Sequence, residues 1–179
     1  MIDPGNAALA EVLEQIHSGA TPELIDRMGD LLRREHAAPS PQANALFAAA
    51  YEVLARLPPA LDCPGRVVSL LCITFHHYSA AKPEAGLAPA ADAVVVARRL
   101  ADSGWLCKAL KIRGVLLADT GNLPAAIAAY AEGLQLAERS GDRLQECEIW
   151  VNTGIAHQYS AHYADAVSCF ERAVELAVD

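Results

Sequence analysis

Apolar residues recur along nearly the whole chain at intervals of three and four, the spacing that lines one face of an α-helix, and no stretch alternates as a strand would. Residues 6–17 set Leu9, Val12, Leu13 and Ile16 on one face and run into Ser18-Gly19, a terminating pair. Residues 22–36 carry a stripe of Leu24, Ile25, Met28, Leu31 and Leu32. They open on Thr21-Pro22, a capping hydroxyl before a proline at the first helical position. A third helix is expected over 41–57, starting at Ser40-Pro41, buried through Leu46, Phe47, Ala50, Tyr51 and Leu54, and stopped by Pro58-Pro59. A very apolar helix over 66–80 follows, then a loop over 82–88, then a helix over 89–103 that begins at Ala88-Pro89.

From residue 107 onward one pattern is written twice. Leu110, Gly114, Leu117, Gly121, Ala126 and Tyr130 are followed 40 residues later by Trp150, Gly154, His157, Ala161, Ala166 and Phe170. A fixed period of this size marks a solenoid, in which each unit buries its apolar face only against its neighbours. Glycine weakens a helix interior by about 1 kcal/mol relative to alanine, so its reuse points to a packing need. Small residues at Gly114, Ala126, Gly154 and Ala166 would let antiparallel helices approach, while Tyr130 and Phe170 would fill the gap between one helix pair and the next. An earlier, degenerate copy places Ala90, Val94 and Ala97 36 residues before Ala126, Tyr130 and Gly133. Matching Leu71, Phe75 and Tyr78 to Trp150, Gly154 and His157 then requires about three extra residues in the loop holding Pro83 and Gly86.

The division expected is 1–64 as an N-terminal helical cap or degenerate repeat, 65–104 as a degenerate repeat, and 105–141 and 142–179 as full repeats. Val167, Val174 and Val178 lie on the side of the last helix that a next repeat would cover. More sequence is therefore expected beyond residue 179, or else a second copy of the chain covers that face.

The motif Trp150-x-x-Thr153-Gly154-x-x-His157, continued by Tyr163, Ala166, Phe170 and Ala173, resembles the tetratricopeptide repeat. So does Leu110-x-x-Arg113-Gly114-x-x-Leu117, continued by Gly121, Leu123, Ala126, Tyr130 and Gly133. Arg113 and Thr153 depart from the leucine usual in that family, which implies a more polar seam or a small shift of register. The resemblance implies an all-α fold, a right-handed superhelical array of antiparallel helix pairs with about nine helices. It also implies a non-catalytic module that grips a protein or peptide in a concave groove lined by the first helix of each pair. Carried over by position, the groove takes Lys108, Lys111, Val115 and Asp119 from one repeat, and Glu148, Val151, Ile155, Gln158 and Tyr159 from the next, with Ala118 beside them. Asn152 resembles an asparagine that clamps peptide backbone through its amide. His76 and Ser79 join through the earlier copy. Each has an ordinary alternative: Lys108 and Lys111 can be a solvated helix edge, and Asn152 and Tyr159 plain surface. The 40-residue period exceeds the usual 34 and resembles the longer variety in bacterial regulators and scaffolds. That suggests the sensory or regulatory N-terminal part of a signalling protein. The alternative is a self-associating arm, homodimeric through the C-terminal helix, for an output domain such as a nucleotide cyclase or DNA-binding regulator.

Composition changes this picture little. Apolar residues make up 53% of the 179, yet aromatics only 6%, which suits helices packed closely through Ala, Leu and Val. The apolar run 67–75 is far shorter than the roughly 20 residues a membrane span needs. The opening Met-Ile-Asp-Pro-Gly-Asn lacks the features of a secretory signal, so a cytoplasmic setting is expected. Cys63, Cys72, Cys107, Cys147 and Cys169 have no metal-ligand spacing and read as reduced, packed thiols. The net charge of −8 concentrates as −5 over 1–64 and −5 over 142–179, without a basic run, which argues against nucleic acid as partner. No catalytic, cofactor or metal motif is legible, and no membrane contact is expected; an attached catalytic domain stays open. The pairs His76-His77 and His157 with His162 lack the i, i+4 spacing that sets two imidazoles on one helical face, and read as packing or surface residues.

Overall fold

The computed structural model describes the backbone of residues 4–40 and 42–178, and side chains from residue 7 within that span. Among the described residues the chain forms nine α-helices: α1 (Pro4–Ser18), α2 (Pro22–Ala37), α3 (Ala43–Arg56), α4 (Pro64–Ser79), α5 (Pro83–Arg99), α6 (Ser103–Asp119), α7 (Leu123–Ser140), α8 (Arg143–Tyr159) and α9 (Tyr163–Val178). A single 3-10 turn, Pro59–Leu61, links α3 to α4. The helices fall into two compact units, Met1–Ala101 and Asp102–Asp179. All-α architecture in sequential antiparallel pairs is thus as expected, while Pro41, the expected start of α3, lies outside the described residues.

In the first unit α1 packs on α2 and α3, and α4 is central, contacting α2, α3 and α5. Leu9, Ile25, Met28, Leu32, Phe47, Leu54, Leu70 and Ile73 are fully buried there. Each contributes on the order of 1.5–3 kcal/mol by leaving water. The α2–α4 crossing is close enough to need glycine: a Cβ on Gly65 would stand 2.2 Å from Asp26 Oδ1 and 2.4 Å from Asp26 Cα. The Gly65 amide uses that approach to donate to Asp26 Oδ1 at 2.8 Å. The helix α5 corrects the expectation of a start at Pro89. Pro83 occupies the first turn instead, and Pro89 sits buried inside the helix, where its missing N–H forfeits one helical bond. A proline at a first helical position is a sound start signal, and here Pro83, after Lys82, and Pro89, after Ala88, compete within seven residues.

The second unit stacks α6, α7, α8 and α9 in sequence, each against the next, with α6 also touching α8. Tyr130, Leu110, Leu116 and Ile149 are its largest fully buried side chains. The ring of Tyr130 lies over Gly114, where a Cβ would come within 2.3 Å of it, and Phe170 lies over Gly154 in the same way at 2.6 Å. The aromatics therefore fill a notch within their own helix pair, rather than the expected gap between pairs. Two further contacts repeat in register: Cys107 Sγ donates to the Gly133 carbonyl, and Cys147 Sγ to that of Ala173, both at 3.4 Å.

Helix ends fall at a regular interval. Residues with positive φ stand at Ala81, Ala101, Gly121, Gly141 and Ala161, one every 20 residues. Around Gly121, Gly141 and Ala161 the two closing bonds of a Schellman turn form; at the last, His162 N–H donates to the His157 carbonyl (2.9 Å) and Ala161 N–H to that of Gln158 (3.0 Å). Side-chain caps follow the turns at Ala101, Gly121 and Gly141, where Asp102, Asn122 and Asp142 accept from Trp105, Ala125 and Gln145 N–H. The 40-residue period is thus two 20-residue halves, shared between both helices of a pair. The same spacing matches Gly86, Ala90 and Ala93 to Ala126, Tyr130 and Gly133, replacing the 36-residue match and removing the need for extra loop residues.

Candidate functional site

The expected groove residues of the second unit sit on α6 and α8 at positions that correspond by 40 residues: Lys108 with Glu148, Lys111 with Val151, Val115 with Ile155, and Asp119 with Tyr159. The structure brings several of them together. Lys111 Nζ, half-buried on α6, is ion-paired with Glu148 Oε2 on α8. Gln145 Nε2 reaches the same oxygen at 3.5 Å. Lys111 and Glu148 therefore serve each other first, a link of 37 residues that sequence spacing did not reveal. Lys108 is exposed, with its ammonium over the face of the Trp105 ring, 4.9 Å from the centroid, a cation–π contact.

The apolar members differ in their exposure. Tyr159 is 61% exposed and Val151 37%. Val115 and Ile155 are half-buried beside them, Asp119 and Gln158 are exposed, and Ala118 is buried. Asn152 is half-buried with its amide uncommitted among the described residues. Thr153, the polar departure in the seam, is buried and satisfied by donating to the Ile149 carbonyl at 2.8 Å. Arg113, the other departure, is half-buried. Two buried polar atoms nearby on α8, Gln145 Oε1 and Trp150 Nε1, have no hydrogen-bond partner.

His76 lies in the first unit and is engaged there. Its ring stacks on Phe47 at 4.2 Å and 2°, and its Nε2 meets Asn44 Oδ1 at 2.8 Å. Burial, with the neighbouring His77 and His36, holds its pKa below the ordinary histidine value. It acts as a packed ring at the α3–α4 contact. Ser79 is exposed at the end of α4. On α9, Val167, Val174 and Val178 are 54%, 62% and 81% exposed, and the first two line a shallow apolar face with Phe170, Glu171 and Glu175.

All five thiols are free, and four are buried. Burial pushes the Cys72 thiol up to about 11 and raises those of Cys63, Cys107 and Cys169. These are packing thiols in a protonated state at neutral pH. No helix among the described residues is long and apolar enough to cross a membrane.

Residues 105–177 match the family model described as tetratricopeptide repeat, a class of unit that generally holds other proteins. Comparison with curated proteins finds no match. Among solved structures, the chain is similar to the crystal structure of MamA, with 13% identity, a TM-score of 0.67, and 99% of this chain and 96% of that one covered. It is also similar to the crystal structure of BtubC (BKLC) from P. vanneervenii, with 12% identity, a TM-score of 0.61, and coverage of 97% and 88%. At such identities the likeness is one of fold.

Proposed function

We propose that the second unit is a docking module for a protein or peptide, held against the α6–α8 face. The observation that carries this reading is the exposure of Val151 and Tyr159, with half-buried Val115 and Ile155 on the same two helices and Lys108, Asp119 and the Lys111–Glu148 pair among the same set of positions. An exposed tyrosine with apolar neighbours and a charged rim is the composition of an interface anchor. The Lys111–Glu148 pair fixes the two first helices in register, and Asn152 offers both a donor and an acceptor to peptide backbone. The finer reading places the module in the regulatory part of a bacterial signalling protein, on the strength of the long repeat period.

A photo-crosslinking residue at Val151 or Tyr159 is expected to trap a discrete partner, while the same residue at Arg139, exposed on α7, traps none. Tyr159→Ala, Lys111→Glu and Asn152→Ala are each expected to weaken capture about tenfold, on the scale of one interface anchor worth more than 1 kcal/mol. Capture unchanged in all three variants would remove the α6–α8 face from the reading.

A second reading is favoured by the exposure of Val167, Val174 and Val178 on α9, which suits self-association of the chain through that face. Sedimentation is expected to show a concentration-dependent dimer that Val174→Glu abolishes. A strict monomer at high concentration would discard it.

A further inference from the structure

We propose that His157, His162 and Asp165 form a binding site for a divalent transition-metal ion of the zinc type. One ligand atom from each residue lies within 4.8 Å of the other two. Tetrahedral ligands about 2.0–2.2 Å from zinc stand roughly 3.4 Å apart, so closing the site takes a side-chain adjustment of about an ångström. His162 and Asp165 are exposed and free to make it. Two imidazoles and one carboxylate suit zinc, nickel, cobalt or copper better than calcium or magnesium, which take oxygen ligands. Three protein ligands leave a fourth position open to water or another donor.

The backbone explains how a pair without helical i, i+4 spacing converges. His157 is in the last turn of α8, and Ala161 at φ 58° reverses the chain. The Schellman bond from His162 N–H to the His157 carbonyl then fixes the two residues side by side, with ring centroids 6.1 Å apart. Asp165, in the first turn of α9, completes the cluster three residues on.

Nothing in the fold requires ligating side chains at these places. The corresponding residues one repeat earlier are Leu117, Asn122 and Ala125, in a turn with the same two closing bonds. There Asn122 caps its helix, and an apolar leucine fills the place of His157. His157 also carries an uncommitted nitrogen, since its Nδ1 is buried without a hydrogen-bond partner. Such a group normally finds one. No hydrogen bond at that atom fixes the tautomer, and the ring can present a deprotonated nitrogen to a cation. The C-terminal end of α8 favours positive charge, and Asp165 offsets the opposite preference of the α9 N-terminus.

The test uses the full chain, purified without a histidine tag, stripped with EDTA and titrated with zinc chloride by calorimetry. Cobalt(II) serves as a spectroscopic probe whose visible bands report low-coordinate geometry. One ion per chain is expected, with affinity falling about tenfold or more in His162→Ala and in Asp165→Asn, at the scale of disturbing a metal site. Both variants change exposed side chains, and circular dichroism checks that they fold. Cys147→Ser is expected to bind as the unaltered chain does, since thiolate ligation plays no part. No binding of either metal would overturn the proposal. So would affinity unchanged in both His162→Ala and Asp165→Asn, or lost in Cys147→Ser.

Discussion

Replacing Arg66 by alanine is expected to destabilise the first unit by about 3–5 kcal/mol, the cost of breaking a buried, hydrogen-bonded ion pair by removing one partner. The guanidinium is 8% exposed and works as a fork between chain segments. Its Nη2 donates to the Leu54 and Leu57 carbonyls at 2.8 and 2.9 Å, and its Nη1 to Pro58 at 3.2 Å and Asp62 Oδ1 at 2.7 Å. The Leu57 carbonyl lies just past the last residue of α3, where Pro58 and Pro59 carry no N–H to offer, whereas the Leu54 carbonyl also accepts from the Leu57 N–H at 3.2 Å. Alanine would leave the Leu57 carbonyl without this donor and the 6% exposed Asp62 carboxylate with Arg99 as its remaining guanidinium partner. Arg66→Lys is expected to rescue only part of the loss, because an ammonium lacks the planar fork. Arg99 also reaches Asp62, at 2.5 Å, but is 42% exposed, so Arg99→Ala should cost about 1 kcal/mol or less. Denaturant unfolding followed by circular dichroism measures all three, since both tryptophans, Trp105 and Trp150, lie in the second unit. An Arg66→Ala loss no larger than that of Arg99→Ala would refute the argument.

This ionic knot was hidden in the sequence for a physical reason. Its acceptors are main-chain oxygens of three different residues, and backbone carbonyls carry no mark in a string of side chains. The Lys111–Glu148 pair is hidden similarly: the resemblance carries both residues to one groove face, but a spacing of 37 residues does not reveal that they meet each other. What could be read was whatever repeats. Gly114 and Gly154 announced themselves by recurring inside helices at a fixed distance, as did Tyr130 and Phe170, because close packing restricts residue type strongly. The turns were only half legible. Gly121 and Gly141 mark left-handed positions openly, but Ala81, Ala101 and Ala161 hold the same conformation without glycine. With alanine at position 81, Ala88-Pro89 is the more visible start signal for α5, and helical i, i+4 spacing does not show that His157 and His162 meet across the turn at Ala161. Turn chemistry, not hydrophobic pattern, thus concealed both the true register of the earlier repeat and the cluster at the α8–α9 corner.

Gly114→Ala tests the most legible feature and is expected to lower the stability of the second unit by about 2 kcal/mol. Removing glycine from a helix interior by itself gains about 1 kcal/mol. Here the new Cβ would stand 2.3 Å from Cε1, 2.7 Å from Cδ1 and 2.8 Å from Cζ of Tyr130. That ring is 1% exposed and cannot swing into solvent, so the helices must part at a cost of about 3 kcal/mol, the upper part of the overpacking range. Gly154→Ala meets Phe170 at 2.6 Å, but this ring is half-buried on the last helix and can turn outward. Its loss should stay within about 1 kcal/mol, because relief of the clash and helix propensity oppose each other. The decisive measurement is a double-mutant cycle. Tyr130→Leu alone opens space and is itself destabilising. Combined with Gly114→Ala, the methyl group occupies part of that space, and the pair should lose at least about 1 kcal/mol less than the two single losses added. Tryptophan fluorescence follows each transition from within the unit, and the single change at Gly114 should move its thermal midpoint down by about 8–16 °C. Strict additivity would mean that Tyr130 does not set the fit at Gly114, and the recurrence of glycine 40 residues later would then need another cause.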